Sequence, residues 1–80
     1  MTVRMQDGVI LLEGDCPSGD AEDLLQVLLT EPAADIDWRA CKSAHTAVVQ
    51  VLLAARRDML GPPLGAVLAS IARALARERE

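Results

Sequence analysis

Apolar and polar residues alternate along the chain in a way that predicts short strands followed by helices. Two apolar runs, residues 2–6 and 9–13, flank Asp7-Gly8, a dipeptide that readily takes the positive φ angles of a two-residue hairpin turn. The second run contains four consecutive apolar residues, 9–12, which favours a strand covered on both faces. The pattern predicts a β-hairpin that opens a layered α/β fold.

The first predicted helix follows a cluster of turn-forming residues. Ser18 or Asp20 can cap it, and acidic residues in its first turn would lie at the positive end of the helix dipole. The helix is predicted to end near Thr30, because Pro32 disfavours helical dihedral angles at Glu31. Four leucines are spaced so that they form one apolar stripe: Leu24, Leu25, Leu28 and Leu29.

A third strand and a second helix are predicted in the middle of the chain. Residues 34–38 favour a strand, bounded by a polar connection over residues 39–43. Residues 46–60 have the length of a helix, and Gly61 followed by Pro62 is a typical end signal. The apolar residues of this helix surround most of its circumference, so we expect it to be well buried.

A closing helix is predicted within residues 65–78, where apolar positions spaced by three and four over residues 66–77 form an amphipathic face. The chain is therefore interpreted as one domain, residues 1–80, with a small three-stranded mixed sheet of a hairpin plus a parallel strand. In this arrangement the strand at 34–38 would be an exposed edge. We expect the last helix or a second subunit to cover it, which makes a homodimer possible.

The amino-acid composition and the charge exclude some classes of function. The 80 residues are 51% apolar but only 1% aromatic, which indicates an aliphatic core and leaves little room for a large cleft. The net charge of -4 argues against nucleic acid or an anionic membrane as the main partner. Residues 1–37 carry nine acidic side chains and one basic one, whereas residues 38–80 carry seven basic and three acidic side chains. The two halves either attract each other within the fold or present an acidic face to a basic partner.

Cellular location is predicted from the same features. The apolar stretches are far shorter than the roughly 20 residues of a membrane span, and the first residues lack the apolar core of a signal peptide. Two cysteines, Cys16 and Cys41, lie far apart in the sequence. We therefore expect a cytoplasmic protein without direct membrane insertion.

Candidate catalytic chemistry is sparse. Cys41 and His45, together with the distant Cys16, could suggest a metal site, but a fourth ligand is not evident. Cys41 and His45 could also suggest a nucleophile pair, but no orienting acid or oxyanion loop accompanies them. A glycine-rich phosphate loop is also missing from the sequence. Trp38 is interpreted as a packing residue. The sequence thus predicts a non-enzymatic protein with no cofactor and no metal, and a thiol or metal enzyme is the alternative from another class.

Three blocks of sequence resemble a known family, and they occur in the same order as in that family. The chain resembles a STAS domain, the fold of anti-sigma-factor antagonists, over about residues 2–60. The family's strand ending in Asp-Leu-Ser and the loop after it are similar to residues 36–41, and its Asp-Ser/Thr-x-Gly helix start is similar to the block that begins His45-Thr46-Ala47-Val48. The matching blocks are residues 9–14 with 21–24, residues 36–41, and residues 45–53.

The resemblance implies a regulatory role for Thr46 in a bacterial protein. In the family this hydroxyl is phosphorylated by an anti-sigma kinase or, in lipid-transport ABC systems, contacts the ATPase unmodified. A chemotaxis-linked adaptor is a further possibility. The implied partner surface comprises Ser43, His45, Thr46 and Ala47 together with a loop over residues 40–44. A plainer interpretation is that Thr46 caps its helix.

This chain departs from the family pattern in three ways. His45 stands where the family usually has Asp, which puts recognition of Thr46 by a kinase in question. Val48 stands where the family usually has Gly, and this change could alter the approach of a partner. The family usually continues with another strand after the second helix, whereas residues 60–64 offer at most a stub, so the chain is interpreted as a minimal version lacking a last strand.

Overall fold

The structure is a computed structural model that describes residues 2–78, with side chains through residue 74. Within this range the strands form one mixed sheet in the order β1-β2-β3-β4, in which β1 is antiparallel to β2 while β2, β3 and β4 are parallel. The predicted small α/β fold with a mixed sheet is confirmed. The elements, in chain order, are β1 (Val3–Gln6), β2 (Val9–Cys16), α1 (Asp20–Thr30), β3 (Asp35–Ala44), α2 (Thr46–Ala55), β4 (Met59–Leu60) and α3 (Ala66–Glu78).

The N-terminal hairpin forms as the sequence predicts. Asp7 and Gly8 have φ angles of 52° and 79°, and Gln6 pairs with Val9 directly before and after them. Positive φ at both central residues matches the right-handed twist of the two strands, and glycine and aspartate accept it at little cost. The hairpin therefore fixes the register of β1 on β2.

The sheet has one face covered by helices and one open face. The covered face and the helices share a core of aliphatic side chains that are fully buried, as an aliphatic composition predicts. Val9 and Leu11 point to the other face and are half-buried, so the expectation that residues 9–12 are covered on both faces is wrong. The largest fully buried side chains are Ile10, Leu12, Leu24, Ile36, Val48 and Cys41.

Helix α1 begins and ends where the sequence predicts, but its N-cap residue differs from the predicted ones and fewer of its leucines are buried. Gly19 occupies the N-cap, so neither Ser18 nor Asp20 caps the helix; the Asp20 carboxylate instead accepts a hydrogen bond from the Thr2 hydroxyl. Leu24 and Leu28 are buried against the sheet. The other two leucines of the predicted stripe, Leu25 and Leu29, are exposed by 45% and 71%.

Strand β3 is ten residues long, so the predicted strand at 34–38 was too short and the predicted polar connection and loop at 39–44 are part of the strand. The C-terminal half of β3 pairs with the C-terminal half of β2, where Gly14 lies opposite Cys41 and Cys16 opposite Ala44. Two register shifts in this pairing interrupt the alternation of polar and apolar residues. This interruption is why the sequence pattern indicated a connection.

Helix α2 ends at Ala55, five residues before the predicted end, and a fourth strand follows it. Arg56 takes a left-handed conformation with φ of 51° and turns the chain out of the helix. Met59 then pairs with Ile36 in a two-residue strand, β4. The predicted three-stranded sheet is therefore corrected to four strands, and the interpretation of the chain as lacking a last strand is wrong, because Met59 and Leu60 pair with β3 instead of continuing the helix.

The predicted bare edge at β3 is covered by the chain itself. β4 pairs with its first half, and the backbone N–H groups of Leu64 and Gly65 donate to the Cys41 carbonyl at 2.9 and 3.4 Å. Trp38 lies in the core, 4% exposed, as expected of a packing residue. Helix α3 contacts β3 and buries Leu68, but the edge at residues 34–38 is paired with β4, so the expectation that the last helix or a second subunit covers this edge is wrong.

One arginine connects helix α1 to the segment that follows α2. The half-buried Arg57 guanidinium donates to the carbonyl oxygens of Leu28, Glu31 and Ala34 at 2.9, 3.0 and 2.6 Å. A helix C-terminus leaves carbonyl groups without partners, and a cation there also opposes the negative end of the helix dipole. Arg57 therefore satisfies the end of α1 from a residue about 30 positions away.

Candidate functional site

The candidate site lies at the carboxyl end of the two central parallel strands, where α2 begins. The backbone N–H of His45 donates to the Cys16 carbonyl at 2.9 Å, so the last residue of β2 holds the residue that precedes α2. Thr46 follows as the first residue of the helix. The ends of β2 and β3 thus place His45 and Thr46 at one edge of the sheet.

His45, rather than Thr46, caps helix α2. His45 has extended backbone angles, and its Nδ1 accepts a hydrogen bond from the backbone N–H of Ala47 at 3.1 Å. Its carbonyl oxygen accepts from the N–H groups of Val48 and Val49 at 2.9 and 3.2 Å. The plainer interpretation of Thr46 as the cap is therefore wrong, and the cap requires an unprotonated Nδ1 on His45.

The Thr46 side chain is exposed at the first turn of α2, while Ala47 beside it is half-buried. A hydroxyl here is open to a protein partner, and the positive end of the helix dipole tolerates a negative group at this place.

Ser43 is joined to an acidic residue that sequence analysis did not single out. The exposed Ser43 hydroxyl donates to Asp15 Oδ1 at 2.8 Å, and the two residues face each other in the pairing of β2 with β3. Lys42 precedes Ser43 and is also exposed. Asp15 could not be found from the sequence because its position depends on the register of two parallel strands, which local sequence does not specify.

The structure separates Cys41 from His45. Cys41 is fully buried, whereas His45 is exposed and engaged in the helix cap. The sulfur atom nearest to Cys41 Sγ is that of Cys16, at 3.8 Å, and burial raises the pKa of the Cys16 thiol to about 12 and that of Cys41 above its usual range. Among residues 2–74, whose side chains the structure describes, no group of three or more His, Cys, Asp or Glu side chains is arranged to hold a metal ion.

The open face of the sheet forms a second, shallow surface. A depression of about 690 Å³ is lined by apolar side chains, among them Leu11, Leu60 and Leu64, and by polar ones that include Glu13 and Asp37. Two surface ion pairs border it, Arg4 with Glu13 at 2.7 Å and Arg39 with Asp37 at 2.8 Å. These contacts hold the pKa values of both carboxyl groups below their usual range, because each arginine hydrogen-bonds the ionised carboxylate.

Comparison of the chain with protein-family models, with curated proteins and with solved structures found no match. In the described part of the chain, no helix combines the length and the apolar character that crossing a membrane requires.

Proposed function

We propose that this chain is a non-enzymatic regulatory protein of the STAS type, similar to an anti-sigma-factor antagonist, that binds a protein partner through the surface formed by Ser43, His45, Thr46 and Ala47. The observation that carries the proposal is the exposed hydroxyl of Thr46 at the first residue of α2, directly after a central parallel strand. In the proposal this hydroxyl is the position that an anti-sigma-type kinase phosphorylates. The protein then acts in a bacterial cytoplasm.

The element order supports this proposal. A hairpin, a helix, a parallel strand and a second helix precede the short strand β4, and the hydroxyl lies where the family resemblance places it. In the proposal, the short strand β4 and helix α3 replace the longer C-terminal part that the family usually has. The depression on the open face has the volume of a small-molecule site, but it is shallow and would leave much of a small ligand exposed, which favours binding of a protein.

In this proposal, phosphorylation of Thr46 switches partner binding through its charge. A phosphate adds about -1.5 to -2 charges near neutral pH, and it opposes docking of a partner whose surface was complementary to the hydroxyl. Asp15, held by Ser43 at the same edge of the sheet, adds negative charge to the surface. The replacement of the family's Asp by His45 is accommodated because the imidazole takes over the helix cap.

The test is phosphorylation by purified anti-sigma-type kinases from the source genome, in the presence of Mg-ATP. We expect phosphate on Thr46 by mass spectrometry, and none on Thr46→Ala incubated in parallel. Thr30 is the matched control, because it is also an exposed threonine at a helix end and its hydroxyl donates to the Gln26 carbonyl. Phosphate on Thr30 instead of Thr46, or on neither residue with every kinase, would overturn the switch.

An accessory subunit of a lipid-transport ABC ATPase is the alternative, because an exposed, unmodified hydroxyl would also suit direct contact with an ATPase. Under the kinase proposal, Thr46→Glu abolishes partner binding and Thr46→Ala retains it. Under the alternative, both substitutions weaken the complex to a similar extent. Pull-down of each purified candidate partner with the two variants separates these functions, and a chemotaxis-linked adaptor would be recognised by its partner in the same assay.

A further inference from the structure

The two cysteines of the chain meet in the core beneath the candidate site. Cys16 and Cys41 are 3% and 0% exposed, and their Sγ atoms lie 3.8 Å apart although 25 positions separate them in the sequence. A disulfide has an S–S distance of about 2.05 Å, so the sulfur atoms need to approach by less than 2 Å. Both side chains are free thiols in the structure.

The position of the pair follows from the pairing of β2 with β3. Gly14 lies opposite Cys41 and Cys16 opposite Ala44. Cys16 continues the buried alternation of Ile10 and Leu12 in β2, and the register shift between Leu11 and Glu13 brings Cys41 to the same buried face as Ile36 and Trp38 in β3. Gly14 has a φ angle of 70°, a conformation that glycine adopts without strain and that lets β2 bend at this point. The irregular pairing thus brings together two residues that are not direct partners across the strands.

We propose that Cys16 and Cys41 form a dithiol that closes to an intrachain disulfide on exposure to a low-molecular-weight disulfide such as oxidised glutathione. Cys16 ends β2 next to the exposed turn at residues 17–19, so a local opening there exposes it first. Its thiolate attacks one sulfur of the oxidant, which forms a mixed disulfide and releases one glutathione thiolate. Cys41 loses its proton to solvent and attacks Cys16 Sγ, which forms the intrachain bond and expels the second glutathione.

The disulfide would strengthen the framework of the candidate site. The Cys16 carbonyl holds the N–H of His45, and the Cys41 carbonyl holds the N–H groups of Leu64 and Gly65. A bond between the two side chains therefore connects the start of α2 with the segment that covers β3. It also restricts the unfolded chain, which is the main way in which a cross-link stabilises a protein. The modification itself does not depend on the proposed partner.

The experiment uses the full chain, reduced and then held with oxidised glutathione at pH 8.5 without denaturant. We expect the intact mass to fall by about 2 Da through loss of two hydrogen atoms, no labelling by iodoacetamide, and a peptide cross-link between Cys16 and Cys41. The Tm should rise by about 10 °C and return after treatment with dithiothreitol.

A lasting glutathione adduct, a disulfide between two chains, or two thiols that stay reduced through prolonged incubation would overturn the proposal. Cys16→Ala provides the matched control: Cys41 alone should give no loss of two hydrogen atoms and no rise in Tm. If this variant does not fold, the mass and the cross-linked peptide of the unaltered chain still decide the question. Failure of Thr46 phosphorylation leaves this result unchanged, so the two proposals are tested separately.

Discussion

The unpaired backbone groups at two helix ends of this molecule find their hydrogen-bond partners in different ways. The C-terminal end of α1 is closed by Arg57, whose guanidinium donates to three carbonyl oxygens from a half-buried position. The N-terminal end of α2 is capped by the imidazole of the residue next to it, His45, and it leaves Thr46 exposed. The first end contributes to the stability of the fold, whereas the second end is available to a partner.

The difference lies in how far apart in sequence the interacting groups are. Arg57 connects residues about 30 positions apart, so its loss affects the junction of α1, β3 and the chain after α2. The cap by His45 is local to two residues, and changes around it can alter the surface while the core remains intact. A site that must change state without unfolding the protein is better placed on such a local contact.

Arg57→Ala should have the largest effect, because three carbonyl groups lose a charged donor. We expect a loss of about 2–3 kcal/mol in the free energy of unfolding, measured by urea denaturation. Arg56→Gly is the control: glycine accepts the left-handed conformation of Arg56, so this variant should be unchanged or up to about 1 kcal/mol more stable. Equal losses in both variants would mean that the guanidinium contacts do not stabilise the end of α1.

Alkaline pH should weaken the end of β2 that holds His45. Burial raises the pKa of Cys16 from 9.0 to about 12, so the unfolded chain loses this proton at a lower pH than the folded chain. The protonated Cys16 thiol contributes fully to the free energy of unfolding below pH 9. This contribution is lost as the pH rises toward 12, by at most about 1.4 kcal/mol per pH unit. Urea denaturation between pH 8 and about 11 should show this slope. Cys16→Ala should have a shallower slope, and an unchanged slope would exclude Cys16 as its source.

His45→Ala should cost about 1 kcal/mol, because the N–H of Ala47 loses its acceptor. His45→Asn should recover most of that stability, since asparagine is a good N-cap residue. Thermal unfolding of the two variants beside the unaltered chain measures the difference. The same low stability in both would show that the imidazole has a role other than capping.

Thr46→Ala should have the smallest effect on folding, within about 0.5 kcal/mol, because the side chain is exposed. The same change should remove the phosphate in the kinase assay. A loss of stability larger than that of His45→Ala would make Thr46 a structural residue and would remove the contrast between the two helix ends.

Much of the fold could be predicted from local sequence. The hairpin follows from Asp7-Gly8, and the bounds of α1 follow from its acidic first turn and Pro32. The end of α2 could not be predicted, because Met59 lies four residues after Ala55 and so continues the helical spacing of apolar residues, whereas the structure pairs Met59 with β3. The position of Thr46 at a helix start was predicted, whereas the capping role of His45 depends on a side-chain geometry that spacing does not reveal.

The sequence by itself determined the class of fold, the aliphatic core and the place of the exposed hydroxyl, since periodicity and turn chemistry act over a few residues. Only the tertiary structure decided which distant residues meet. It placed Asp15 beside Ser43, Cys16 beside Cys41, and the Arg57 guanidinium on the end of α1. Parallel strand pairing and its register shifts join segments far apart in the chain, and the free energy that selects them comes from burial of the whole core.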